Sequence, residues 1–480
     1  MILHKKNGKH PLIRVILKTI LFMAVFLLTS VISKPADAFS YDTSLKRLAS
    51  YYYRDQSEPL LKNSYYPSKN GIWSKKSLRF SIIDRMRYDQ ALRCMIDDDI
   101  AHFSLLSKLQ TKAHSFVITS GPALSIADRT ALCMFTGDIM CLKGQQYSAR
   151  TNQGYDFWPS YCFVSSLFDH ADLVCGNLET LISRSNPLTS EQVYAENGQP
   201  LCHGPEELLR ALKKAGYDVL VTANNHAYDW GITGVNETKK QLDMYGFANT
   251  GTSYSNDTYD LPSSDNRNYL IIDVNGIKMA ILSCTYPCNQ REQFIQDGSP
   301  SVINLYDIDM IRNNIVSAKA EGAEFVTVYC HWGIENTEEL NYAQINGSRE
   351  IAEAGADLII GSHPHCLQGC EYIKTSDDRN VLCMYSMGNF CSSMSRIINN
   401  DTIILSVTLS FEKNSDRPVI SSASYIPCRV TSYRGHLNVV IPTDPEINGG
   451  HSSSDLTEAA CRIEEVINGV LPVYNGVHPF

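Results

Sequence analysis

The sequence predicts an α/β protein, and three observations predict it. Short apolar runs of strand length alternate with amphipathic stretches of helix length from about residue 131 onward. Several of these runs end on Asp, Glu, Asn or His rather than on an ordinary turn residue. A meander-like part carries an Asn275-Gly276 hairpin signal, so the sheet is expected to be mixed.

The strand-like runs are "ALCMFTG", "ADLVCGN", "DVLVTAN", "EFVTVYCHWG", "ADLIIGSHPH" and "NVLCMYSMGNF". They are short apolar runs of strand length. The helical stretches are "GPEELLRALKKAG", "TGVNETKKQLDMYG" and "NLYDIDMIRNNIVSAKAEG". Those at 204–216 and 306–322 close on Gly, the residue a left-handed C-cap favours. "NYLIIDVNGIKMAILSC" carries Asn275-Gly276 between two apolar runs, a strong hairpin signal. Beyond residue 400, "TIILSVTLSFE" and "PVISSASYIPCRV" read as strands, and the tail as a loop and one short helix. Residues 39–129 are rich in Tyr, Lys and Arg with helix-like apolar spacing, and predict a small, mainly helical N-terminal region.

The 480 residues are 44% hydrophobic and 19% charged, the balance of a globular chain. A formal net charge of −9 disfavours a nucleic-acid binder. Six of the 42 Lys and Arg and one of the 51 acidic residues precede residue 39, which leaves the remainder near −14. That first segment has the form of an export signal. A basic stretch ends at Lys18, "TILFMAVFLLTSVIS" follows, and Ala36-Asp37-Ala38 fits a small-x-small cleavage site. Cleavage after Ala38 predicts an extracellular or cell-surface protein, and an uncleaved segment would anchor it to the membrane. The 15 cysteines are odd in number and form no paired CxxC knuckles. Cys133, Cys175, Cys330 and Cys383 sit in apolar runs, where a buried free thiol is expected.

The strand ends carry the chemistry. In open α/β sheets, ligands bind beyond the carboxyl ends of the strands. Asp138, Asn177, Glu179, Asn224, Asn225, His226, His331, His363, His365 and Asn389 all fall at such ends and are expected to converge. Carboxylates, an amide oxygen and imidazoles without cysteine suit divalent ions of the Mn, Fe or Zn type. Two ions about 3.5–4 Å apart, sharing a carboxylate, can activate a water against a phosphoryl-like group, and a neighbouring His can protonate the leaving oxygen. Each residue also has a structural reading: Asp138 as a helix cap, Glu179 as a first-turn acid, the histidines as buried groups bonded to backbone. Asp229 and Trp230 read as braces of their loop. His170, His203, His436 and His451 have no strand-end partners.

"GD-x-M", "ADL…NLE", "ANNHAYDWG", "HWG", "GADLIIGSHPH" and "YSMGNF", in that order over roughly 131–392, resemble the bacterial capsule-synthesis CapA family, associated with poly-γ-glutamate. The resemblance implies an αββα sandwich of two mixed sheets, as in the calcineurin-like metallophosphoesterases. It divides the chain into a signal or anchor (1–38), an N-terminal region (39–129), the main domain (130–392) and C-terminal strands that complete the sheet (393–480). Two divalent ions are implied. Asp138 and His365 would hold the first, Glu179 would bridge, and Asn225, His331 and His363 would complete the second. His226 would be general acid or substrate clamp, with Asn177 and Asn389 behind the ligands or at the substrate. The first motif of the wider superfamily is Asp-x-His, and here Met140 replaces that His. Glu179 stands where Asp is common. The implied partner is an anionic capsule polymer or a phosphoester. The implied roles are a capsule hydrolase or transferase, an accessory subunit of a membrane synthase complex, or a general surface phosphodiesterase.

Overall fold

A computed structural model describes residues 65–67, 72–75, 129–183, 200–254, 268–286, 288–289, 302–411 and 417–474. The export segment and the helices expected within 39–129 lie outside these residues. What is described of 39–129, before residue 129, is strand: β1 (Tyr65–Pro67) and β2 (Ile72–Lys75), an antiparallel pair.

Two sheets carry the fold. The first runs β1-β2-β11-β12-β13-β14-β16-β15. Its members are β11 (Tyr269–Val274), β12 (Ile277–Thr285), β13 (Phe325–His331), β14 (Leu358–Ser362), β15 (Leu367–Lys374) and β16 (Asn380–Met387). The second runs β10-β9-β6-β3-β18-β19-β20. It comprises β3 (Thr130–Ile139), β6 (Leu173–Leu178), β9 (Val219–Val221), β10 (Ala248–Thr250), β18 (Asp401–Phe411), β19 (Pro418–Tyr433) and β20 (His436–Pro442), with β17 (Asn389–Cys391) paired to β3. Two small ribbons, β4 (Arg150–Thr151) with β5 (Gly154–Tyr155) and β7 (Leu181–Ile182) with β8 (His203–Gly204), lie off the sheets. The helices are α1 (Lys143–Ala149), α2 (Trp158–Tyr161), α3 (Ser165–Phe168), α4 (Glu206–Ala215), α5 (Gly231–Tyr245), α6 (Ile308–Ala320), α7 (Tyr342–Ala354) and α8 (Ser454–Ile467).

Both sheets are mixed, as expected. β12, β13, β14 and β16 are parallel, and so are β3, β6, β9 and β10. Parallel strands need helical crossovers, which is why the apolar runs alternate with helices here. The β11–β12 hairpin turns on Asn275 (φ 51°) and Gly276 (φ 83°), with Val274 paired to Ile277. Both turn residues are left-handed, the geometry that selects Asn-Gly. α4, α5 and α7 end on left-handed Gly216, Gly246 and Gly355.

Three apolar layers result. Phe135, Cys175 and Val221 of one sheet meet Ile281, Tyr329 and Ile360 of the other. The outer face of the second sheet packs Val174 and Leu220 against Leu208, Leu212 and Leu242 of α4 and α5. The outer face of the first packs Val328 and Ile359 against Ile311, Ile315 and Ile351 of α6 and α7. Helices therefore cover both faces of a two-sheet core. The cysteines from Cys133 to Cys461 are all free, most of them buried. Among the described residues no helix is long and apolar enough to cross a membrane.

Candidate metal centre

The carboxyl ends of the two parallel strand sets meet at one place. In the second sheet Asp138 lies opposite both Asn177 and Asn389, and Asn177 pairs with Val221, so residues 222–226 run past the sheet edge. In the first, His331 pairs with Ser362, and His363 and His365 follow directly. All these polar residues are buried.

Close approach of backbones fixes Asp138. A Cβ at Gly137 would lie 2.0 Å from the Gly388 carbonyl oxygen, which accepts the Asp138 N–H at 3.0 Å. Only glycine lets β3 run that close to the junction of β16 and β17. The Asp138 carboxylate accepts Asn177 Nδ2 at 2.8 Å and the His363 N–H at 3.2 Å, and faces His365 Nδ1 at 3.6 Å. Burial alone would push its pKa up, but the bonds from His365, Asn177 and His363 hold it below the usual carboxylate value.

Glu179 lies at the centre. It is 0% exposed, and among the described residues neither carboxylate oxygen has a hydrogen-bond partner. Its Oε1 is 3.5 Å from His331 Nε2 and 3.8 Å from His365 Nε2. Burial, and next the charge of Asp138, raise its pKa well above normal. His331 Nε2 also lies 2.9 Å from Asn225 Oδ1 and 3.2 Å from His363 Nδ1. One ring nitrogen carries at most one proton, yet an amide oxygen, a carboxylate oxygen and a second imidazole nitrogen surround it. Its Nδ1 is engaged with Ser362 Oγ at 2.8 Å. Burial, then the neighbouring His363 and His365, push His331 well below its ordinary pKa; burial, then His365, bring His363 to about 3. Burial also lowers His365, but Asp138 outweighs it and leaves that ring raised.

These groups could hold metal ions. Asp138, Glu179 and His365 offer ligand atoms within 4.8 Å of one another, and so do Glu179, His331 and His363. Glu179 belongs to both sets. The fit is electrostatic as well as geometric. A buried carboxylate between the neutral ring of His331 and the Asp138-paired ring of His365 is a setting that a divalent cation would suit. The backbone agrees: His363 (φ 97°) and His365 (φ 59°) are both left-handed, a strain of about 1–3 kcal/mol each for non-glycine residues that clusters at functional sites.

The other expected residues sit around this centre. His226 Nδ1 is 2.7 Å from Asp229 Oδ2. Asn389 Oδ1 meets His365 Nδ1 at 3.0 Å, while its amide donates to the carbonyls of Asn399 and His365. Asn224 donates to the Leu178 carbonyl at 2.8 Å and braces its loop. Met140 is buried, and its carbonyl accepts Gln145 Nε2 at 2.7 Å. His203 packs on Trp230, and His451 packs edge-on against Phe163 and Tyr433.

Four participants escaped the sequence reading. Asp229 read as a loop brace, although its i+3 spacing from His226 was a usable signal. Ser362 ends its strand one residue before His363. Glu335 and Asn289 lie in loops without periodicity. Asn225 Nδ2 is 3.5 Å from Glu335 Oε1 and 3.2 Å from Asn289 Oδ1.

Residues 132–394 match the family described as bacterial capsule synthesis protein PGA_cap. The chain belongs to that family. It is 29% identical over 266 residues to the PGA biosynthesis protein CapA of Bacillus subtilis (strain 168), covering 55% of this chain and 64% of that protein. It is 28% identical over 313 residues to the capsule biosynthesis protein CapA of Bacillus anthracis, covering 60% of this chain and 69% of that one. The match thus spans less than two thirds of the B. subtilis protein's length. Among solved structures it is similar to the calcineurin-like phosphoesterase YfkN from B. subtilis, with a TM-score of 0.36 and 15% identity over 70% of this chain and 97% of that one. It is also similar to a 5′-nucleotidase precursor from Thermus thermophilus, with a TM-score of 0.38 and 13% identity over 70% and 58%.

Proposed function

We propose that this chain is an exported, cell-surface protein that makes, releases or attaches an anionic capsule polymer of the poly-γ-glutamate type, through a metal-dependent hydrolase or transferase site. Family membership supports the biological setting. The single observation that carries the chemistry is Glu179: two buried carboxylate oxygens without a donor among the described residues, shared by two sets of ligands.

In this reading Asp138, Glu179 and His365 hold one divalent ion, and Glu179, Asn225, His331 and His363 hold a second, both of the Mn, Fe or Zn type. When bound, the ions supply Lewis acidity and local positive charge, which an acidic protein needs to meet a polyanion. The protein's own groups do the rest. Asn177 fixes the Asp138 carboxylate, and Asn389 fixes the ring of His365. The Ser362 hydroxyl holds the His331 ring through Nδ1. His226 engages Asp229 through Nδ1, which leaves Nε2 to give a proton to a leaving group. Burial of the whole set excludes bulk water.

The test uses residues 39–480, with metal content measured and phosphodiester and γ-glutamyl substrates assayed with and without Mn. Metal-dependent turnover is expected, with loss in both His331→Ala and His363→Ala. A protein that takes up no metal under any loading condition would sink the reading. Metal uptake with no turnover on either substrate class would favour an accessory subunit of a membrane synthase complex, and turnover on phosphodiesters alone a general surface phosphodiesterase. The mass of the mature N-terminus decides between cleavage after Ala38 and a retained anchor.

A further inference from the structure

Behind His226 lies another set of donors. Cys202 immediately precedes β8 and is 0% exposed. Its N–H donates to Asp229 Oδ2 at 2.6 Å, the same oxygen that His226 Nδ1 meets at 2.7 Å. The Cys202 sulfur, a His226 nitrogen and an Asp229 oxygen all lie within 4.8 Å of one another, in three buried residues.

A buried cysteine by itself is a small hydrophobe. Cys428 is such a case, its thiol spent on the Ile426 carbonyl of its own strand. Cys202 differs because an imidazole and a carboxylate converge on its sulfur. Sulfur, nitrogen and oxygen donors from three residues, with one position left open, form a set that zinc-class ions accept. Bond lengths of about 2.3 Å to sulfur and 2.0 Å to nitrogen or oxygen put tetrahedral ligands about 3.3–3.5 Å apart, so side-chain shifts suffice to close the trio on an ion. The donors differ in kind from those around Glu179, which include no thiol. Soft ions are drawn to sulfur, whereas Mn prefers the oxygen and nitrogen set.

We propose that Cys202, His226 and Asp229 form a separate site for a thiophilic divalent cation of the zinc class. Occupation balances simply: the thiol proton and the His226 Nδ1 proton that faces Asp229 leave to solvent, sulfur–metal and nitrogen–metal bonds form, and His226 keeps its proton on Nε2. The ion then takes the place of the hydrogen bond between His226 and Asp229, and cancels the carboxylate charge that faces the ring. His226 is withdrawn from proton transfer. That consequence rests on the function proposed above, whereas the site does not.

The experiment adds cadmium to the full chain in the presence of excess Mn and records the ultraviolet thiolate-to-cadmium charge-transfer band. The centre around Glu179 has no thiolate, so it is silent in this measurement whether Mn fills it or not. A band of one thiolate per chain is expected, absent in Cys202→Ser and weakened in Asp229→Asn, with bound Mn unchanged in Cys202→Ser. Equal bands in wild type and Cys202→Ser, or no band in wild type, overturn the proposal. Should Cys202→Ser fail to fold, cadmium NMR of the wild-type protein decides: a one-sulfur resonance supports the site, and a multi-sulfur resonance or none overturns it. In a wild-type protein with Mn-dependent turnover, zinc should inhibit on the order of 100-fold, the contribution of a general acid, and Cys202→Ser should resist it. Absent turnover speaks against the proposed function, and the cadmium band still decides this site.

Discussion

At the level of single residues, the proposed function makes Glu179 trade stability for metal binding. A buried carboxylate without donors among the described residues costs the empty fold, and its raised pKa expresses that cost. Glu179→Gln keeps the shape, removes the charge and lets an amide face Asp138. In chelator, urea denaturation should show this variant about 1–3 kcal/mol more stable than wild type. With Mn present the order should reverse, because only wild type gains from the ion. Retained Mn, measured by elemental analysis, should fall with the substitution. His363 gives a pH prediction for the metal-free protein. Its folded pKa is near 3 against an ordinary 6.5, so the unfolded chain binds more protons between those values. Stability is therefore whole above pH 6.5 and is lost as pH falls toward 3. The urea midpoint of His363→Asn should fall less between pH 7 and 5 than that of wild type. These side chains were legible in the sequence because strand ends in α/β sheets are where ligands bind, and polar residues there break an apolar run. Asp229 was less legible, since only the folded loop shows that its carboxylate meets His226.

At the scale of elements, the centre depends on β3 running almost in contact with the backbone at Gly388, where β16 passes into β17. The Gly137 position has no room for a methyl group against Gly388. Gly137→Ala should therefore push the strands apart, displace Asp138 and cost about 1–3 kcal/mol or more, the ordinary penalty of overpacking. Denaturation midpoints and Mn content should fall together, whereas Asn177→Ala, which leaves the strands in place and removes side-chain bonds to Asp138, His331, Ser362 and Asn224, should affect Mn content more than stability. Equal stability of Gly137→Ala and wild type would show that the two strands can separate freely. The elements themselves were readable where local rules are strong: the Asn275-Gly276 hairpin, the glycine-capped helices and the apolar runs of strand length. β20 was missed, because its edge position leaves His436 and Leu437 exposed and dilutes the apolar pattern. Loops that hold Asn289 and Glu335 carry no period at all, so nothing local announced them.

At the scale of the whole molecule, the sequence reading separated residues 39–129 from the main domain, and the sheet crosses that line. β1 and β2 belong to the same compact unit as the described residues from 129 onward. β2 pairs in parallel with β11, joining Ile72 to Ile271 and Ser74 to Asp273. This pairing joins strands about 200 residues apart, a non-local contact that periodicity cannot reveal. It also closes an edge. Without β1 and β2, β11 would present its free N–H and C=O groups to solvent beside Ile271 and Ile272, which are fully buried in the folded chain. An uncovered strand edge of that composition templates pairing with other chains. Two truncations test this, one starting at residue 62 and one at 122. The longer should melt near the full chain. The shorter should lose on the order of 2–4 kcal/mol, from a few ladder bonds at about 0.5–1.5 kcal/mol each, and should gain light-scattering aggregates before it unfolds. Identical melting and scattering of the two would remove β1 and β2 from the structural unit and return the domain boundary to residue 130.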